Sequence, residues 1–217
     1  MDSPYARPMS HLDVLSWIWQ QQGGWMVWNT ILAWVPVALA IPLFRRRTTE
    51  RGVAWWVGLV LFGAFLPNAP YVVTDLIHVQ PTIHRLGPGA PITTTVYPVY
   101  ALLVTSGFVA YTLSLAMAGG YMERIGRHSW RLPLRIATHA VCAVGIFLGR
   151  WPRLNSWDLF TDTGGAFSRI GRSLGWDRAP SLILTLFVVT AIGHAVTKAV
   201  LDAALVGARA VHQGEGS

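Results

Sequence analysis

The chain has little of what soluble enzymes and secreted scaffolds are built from. It holds a single cysteine, Cys142, so no internal disulfide can form. Charged residues make up only 12% of the sequence, about half the ~25% usual in a soluble domain. Lysine is almost missing, since Lys198 is the only one among 17 basic residues. No G-x-x-x-x-G-K-[ST], H-E-x-x-H or C-x-x-C motif occurs, which removes the sequence grounds for P-loop, zinc-protease and paired-cysteine chemistry. The spaced glycines of GGYMERIG (Gly119–Gly126) follow an apolar helix rather than a strand, so they are no nucleotide fingerprint.

Apolar residues fill the space that charge leaves. Hydrophobic residues reach 53%, with eleven tryptophans and a mean hydropathy of +0.42. Runs at Trp25–Phe44, Val96–Ala118, Leu134–Gly149 and Ser181–Lys198 are long enough, or nearly so, to cross ~30 Å of hydrocarbon. Gly52–Leu66 is equally apolar but gives only about 22 Å of helix. The fold class expected is an all-α integral membrane protein of about five transmembrane helices with flanking interfacial helices. Its expected parts are an interfacial leader (1–24), one multi-span domain (25–207) and a disordered tail (208–217). Within the leader, Leu12, Leu15, Ile18 and Trp19 give an apolar face from near Ser10, and Gly23–Gly24 is expected to stop that helix before the first span. The first long apolar run ends in Arg45, Arg46 and Arg47, a stop-transfer pattern and not a cleavage site.

Arginine clusters set the expected orientation. Arg45, Arg46, Arg47 and Arg51 follow span one, and Arg124, Arg127, Arg131 and Arg135 surround the loop after span three. Short basic loops stay in the cytoplasm, which puts the N-terminus outside and the C-terminus inside. The loop after span four, with Arg150, Arg153, Arg169, Arg172 and Arg178, is the weak point of that assignment. The net charge of +7 belongs to these boundaries, where it meets anionic headgroups. With no basic-plus-aromatic module present, nucleic acid is not an expected partner. The lipid bilayer is, together with a lipid or anionic small-molecule ligand. No cofactor or protein partner can be named from the sequence.

The polar residues concentrate in two segments. In PNAPYVVTDLIH, Tyr71, Thr74, Asp75 and His78 fall at i, i+3, i+4 and i+7, one face of an α-helix. Pro67 is expected to push Leu66 out of helical geometry, and Asn68 to cap a new short helix with Pro70 in its first turn. Span two then either begins near Thr48 or continues, broken, through Val79; the plainer alternative ends it at Pro67 with a surface helix beyond. A broken helix at membrane depth is the way discontinuous helices build sites. Asp75 and His78 form a hydrogen-bonded pair or, with His84, ligate a metal. The second segment, GRWPRLNSWD, emerges on the same side by span parity, so Arg150, Arg153 and Asp158 can meet Asp75 and His78. Arg150 and Arg153 read as headgroup anchors or as oxyanion ligands. Asn155 and Asp158 read as helix-capping residues or as part of the site, and Trp157 stands between them. Inside the membrane, His139 and His194 are either locally satisfied or a relay, and Lys198 with Asp202 forms an ion pair one turn apart.

The two segments together are similar to the paired signatures of the domain of unknown function 1361 family, bacterial multi-pass membrane proteins. Asn68, Pro70, Tyr71, Thr74, Asp75 and His78 fit the first motif. Gly149, Arg150, Arg153, Asn155, Ser156, Trp157 and Asp158 fit the second, and Pro152 departs from it. The resemblance covers roughly Thr30 to Gly207 and implies the fold and the paired site, without an activity. Three functions are then open: a polar pocket for a lipid headgroup or anionic ligand, an enzyme on a lipid-linked substrate, or a small transporter using the broken second span.

Overall fold

The computed structural model describes residues 9–45, 51–87, 90–154 and 161–214, with side chains through Arg209. Five helices in it are long and apolar enough to cross a membrane: His11–Phe44, Val53–Leu86, Ile92–Arg124, His128–Arg150 and Ala179–Arg209. The regular elements are α1 (His11–Phe44), α2 (Val53–Phe65), α3 (Asn68–Tyr71), α4 (Val79–Leu86), α5 (Tyr97–Arg124), α6 (Arg131–Arg150), α7 (Thr163–Leu174) and α8 (Ala179–Gly214). The chain is a multi-pass membrane protein. Val53, Leu102, Leu184 and Val200 are each more than 60% exposed, a continuous apolar exterior that only lipid covers.

Helix α5 is the centre of the bundle. It packs against α1, α3, α6 and α8, while α2 packs on α1 and α6 on α8. Arg45, Arg51, Arg124, Arg127 and Arg131 gather at one face of the bundle, between spans one and two and between spans three and four. There Arg51 lies over the rings of Trp55 (5.1 Å) and Tyr121 (5.6 Å) and donates to the Tyr121 hydroxyl at 2.9 Å. The opposite face carries the start of α1, the ends of α4 and α6 and the start of α8.

The break expected at Gly23–Gly24 is absent. Ser10 caps α1 in a reciprocal box with Asp13, and the helix then runs unbroken to Phe44. Residues 11–24 are thus the first turns of span one and not a separate flat element. Val14 and Ile18 explain why, because they are buried against Leu86, Val96 and Tyr100 of spans two and three. That packing outweighs the ~1 kcal/mol cost of each interior glycine. The tail also differs from expectation, since α8 continues helically to Gly214.

Span two is one composite helix from Val53 to Leu86, so it continues through the break and does not end at Pro67. Leu66 and Pro67 both keep right-handed helical angles (φ −56°, ψ −37° and φ −59°, ψ −24°), against the expectation that the proline would expel Leu66. Asn68 is not a cap. Its side chain donates 3.0 Å back to the Phe65 carbonyl, while the Ala69 N–H bonds to Leu66 at 3.2 Å. The amide therefore takes up an acceptor that the tightened turn would otherwise strand in an apolar medium.

Two glycines let neighbouring helices close over this break. A Cβ on Gly107 of α5 would stand 2.2 Å from Val72 Cγ2 and 2.4 Å from the Ala69 carbonyl oxygen. One on Gly145 of α6 would stand 2.7 Å from the Pro67 ring. Gly107→Ala is therefore expected to destabilise the protein by about 1–3 kcal/mol. Gly120→Ala, on the same helix but with nothing within 4 Å of its Cβ, should be neutral or stabilising by up to about 1 kcal/mol. Thermal unfolding in detergent compares the two, and equal effects would refute the close-approach argument.

Candidate functional site

After Tyr71 the backbone tightens into a 3-10 helix from Val72 to His78. At about three residues per turn, Val72, Asp75 and His78 share a row, and Tyr71, Thr74 and Ile77 fall on another. The single stripe expected from α-helical spacing is thereby split in two. Val72 and Asp75 are buried, Asp75 being 2% exposed, whereas Ile77 is open. Thr74 turns its hydroxyl to the Tyr71 carbonyl at 2.8 Å. Tyr71 faces α6 and packs against the cluster of Ala143, Ile146 and Phe147.

Asp75 and His78 both turn toward α1, and neither has the other as its principal partner. Asn29 donates to the Asp75 carboxylate at 2.9 Å, and the His78 ring lies 4.9 Å from that of Trp25. One turn further out, Gln22 donates to Thr82 at 2.7 Å and accepts from the Tyr100 hydroxyl, while Thr82 and Tyr100 are 3.0 Å apart. Helix α1 is thus the polar partner of the broken segment. Sequence reasoning missed Asn29 and Gln22, although Asn29 is the only amide side chain within the apolar run Trp25–Phe44. A lone amide in such a run seeks a partner on another helix, and this was the available signal.

Arg150 closes α6 and lies within electrostatic range of both Asp75 and His78. Pro152 ends the helix immediately after it, and Arg153 sits exposed in the left-handed region at φ 54°. The Leu154 N–H folds back to the Leu148 carbonyl at 3.1 Å. Of the two arginines, Arg150 is the one within electrostatic range of Asp75 and His78. Asn155, Ser156, Trp157 and Asp158 lie outside the described residues. His84 is exposed on α4, and no group of three His, Cys, Asp or Glu side chains fit to hold a metal occurs among the described residues. The triad of Asp75, His78 and His84 is therefore not assembled.

Between α1, the break and α6 lies a cleft of about 390 Å³. Trp28, Leu32, Phe65, Val144 and Leu148 give it apolar walls, with Ile170 of α7 at its edge. Asn29, Asn68 and Tyr71 are its polar lining, and Gly149 brings it next to Arg150. Asn29 joins the two parts of the site, because the residue that lines the cleft also holds Asp75. Asn29→Ala should cost about 2 kcal/mol by leaving a buried carboxylate without its donor. In the double variant Asn29→Ala/Asp75→Ala part of that loss should return. Strictly additive losses in a thermal-unfolding cycle would show that the two side chains are not coupled.

The family described as protein of unknown function (DUF1361) matches residues 28–192 of this sequence. No curated protein and no solved structure matches the chain. With three-quarters of its length inside that match, the chain belongs to the domain of unknown function 1361 family.

Proposed function

We propose that this member of the domain of unknown function 1361 family binds an anionic amphiphile, a lipid headgroup with part of its chain, in the cleft beside its broken second span. The observation that carries the reading is the polarity of that cleft. Its length is apolar, its polar groups are Asn29, Asn68 and Tyr71, and Arg150 follows the lining residue Gly149 in the chain. Ligand sites are mostly apolar with a few convergent polar groups, and a guanidinium is well suited to an oxyanion. In a bacterial inner membrane, the arginine clusters after spans one and three support an N-terminus outside, and hence a cleft on the outer leaflet.

Two features favour binding over the other functions. A general base must reach the proton it removes, whereas Asp75 is buried and engaged by Asn29. A gate must move, whereas the break in span two is held between Gly107 and Gly145 at contact distance. Extraction of the purified protein followed by lipid mass spectrometry tests the reading. Arg150→Gln is expected to reduce co-purified anionic lipid about fivefold, the worth of one cation near a headgroup. Val141→Trp, which fills the cleft from its lipid-exposed rim, should reduce it at least as far. Equal lipid content in all three proteins would sink the proposal.

A further inference from the structure

A second polar centre lies at the other end of α6, between α6 and α8. His139 and His194 are both buried, and their rings are 5.4 Å apart. Each Nδ1 faces a hydroxyl of α5: Tyr111 for His139 at 2.8 Å, and Thr112 for His194 at 3.2 Å. Each hydroxyl is buried and its proton needs an acceptor, so both donate to the Nδ1 atom they face. With Nδ1 accepting, Nε2 of each ring carries the proton; in a protonated ring it carries one as well. No buried side-chain nitrogen or oxygen among the described residues lacks a partner. The Nε2 atoms, which have no protein partner, therefore reach a surface, and the surface both histidines line is a groove of about 450 Å³.

That groove opens toward the arginine-rich face. Arg135 and Lys198 line it, and Lys198 pairs with Asp202 one turn further along α8. Arg135 is within electrostatic range of both imidazoles, and Lys198 of His194. The remaining lining, including Leu132, Phe187 and Ala195, is apolar, and Ala195 is exposed at its rim. Two ring N–H groups and two cations aim at one apolar trough, against a single carboxylate that Lys198 already occupies. We infer that the groove between α6 and α8 is a second ligand site that takes an anionic phospholipid from the leaflet at the arginine-rich face. Arg135 and Lys198 meet the phosphate, and the imidazole N–H groups meet the ester oxygens below it. Charge complementarity selects this occupant, and the position of the groove on the lipid-facing exterior supplies it. The site shares no lining residue with the cleft beside span two.

Native mass spectrometry of the delipidated full-length protein, titrated with phosphatidylglycerol or phosphatidylcholine, tests the inference. Phosphatidylglycerol should bind about 25-fold more tightly than phosphatidylcholine, as two cations at about fivefold each near one phosphate require. Arg135→Gln should lower its affinity about fivefold. Ala195→Leu narrows the groove from the lipid side without touching the core, and should also weaken binding while leaving thermal unfolding unchanged. Equal binding of the two lipids would overturn the site, as would inorganic phosphate displacing phosphatidylglycerol. So would a loss seen only in Arg150→Gln, which would assign the lipid to the other cleft.

Discussion

A backbone that departs from α-helical hydrogen bonding inside a bilayer must be sealed by protein, because lipid offers no donor or acceptor. Span two makes that departure twice, at Pro67 and again where the 3-10 turn begins at Val72. The arrangement of the bundle follows from the sealing. Helix α5 comes in at Gly107 until its backbone meets Val72 and the Ala69 carbonyl, and α6 comes in at Gly145 against the Pro67 ring. Asn68 supplies the one donor that the neighbours cannot. A fully α-helical span two would need none of these residues, and the cleft beside it would have no reason to carry polar groups.

The buried polar side chains do a related job between helices. Asn29 holds Asp75, Gln22 holds Thr82 and Tyr100, and the hydroxyls of Tyr111 and Thr112 face His139 and His194. Each bond joins side chains on different spans. Such bonds contribute roughly 0.6–2 kcal/mol apiece within a membrane, too little to account for the fold by themselves. Their effect is on register, since a slip of one residue along α1 would leave Asn29 and Asp75 unpaired. The bulk of the cohesion is apolar packing around Phe44, Phe62, Phe108 and Tyr111.

The spans were legible because hydropathy and length are nearly sufficient when the solvent is hydrocarbon. Ser10 was legible as a helix start because a cap is a local interaction. Span parity brought Arg150 to the face that carries Asp75, and this required nothing beyond counting helices. The failures share a cause, in that each depended on a neighbour absent from the local window. Gly23–Gly24 looked like a stop until Val14 and Ile18 were seen packed on spans two and three. Tyr71, Thr74, Asp75 and His78 were arranged with 3.6-residue periodicity, but the chain winds there at three. Asp75 was sought a partner in the other polar segment, while its donor, Asn29, stood alone in the apolar run of span one.

The geometry of α6 decides how the two grooves relate. Leu132, Arg135, Ile136 and His139 line one, and Val141, Val144, Gly145 and Leu148 line the other. Both sets follow the spacing of a single helical face, but the second is offset from the first by two residues beyond a full stripe. At about 100° per residue that offset turns the second set nearly to the opposite side of the helix. The grooves thus lie on opposite sides of α6 as well as at opposite ends, and no side chain can contact both occupants. Any communication between them through α6 has to be a rigid displacement of that helix. Gly145 resists that displacement, because its contact with Pro67 leaves no room for α6 to move further toward the break. Movement away from it would uncover the very backbone that the bundle is built to seal.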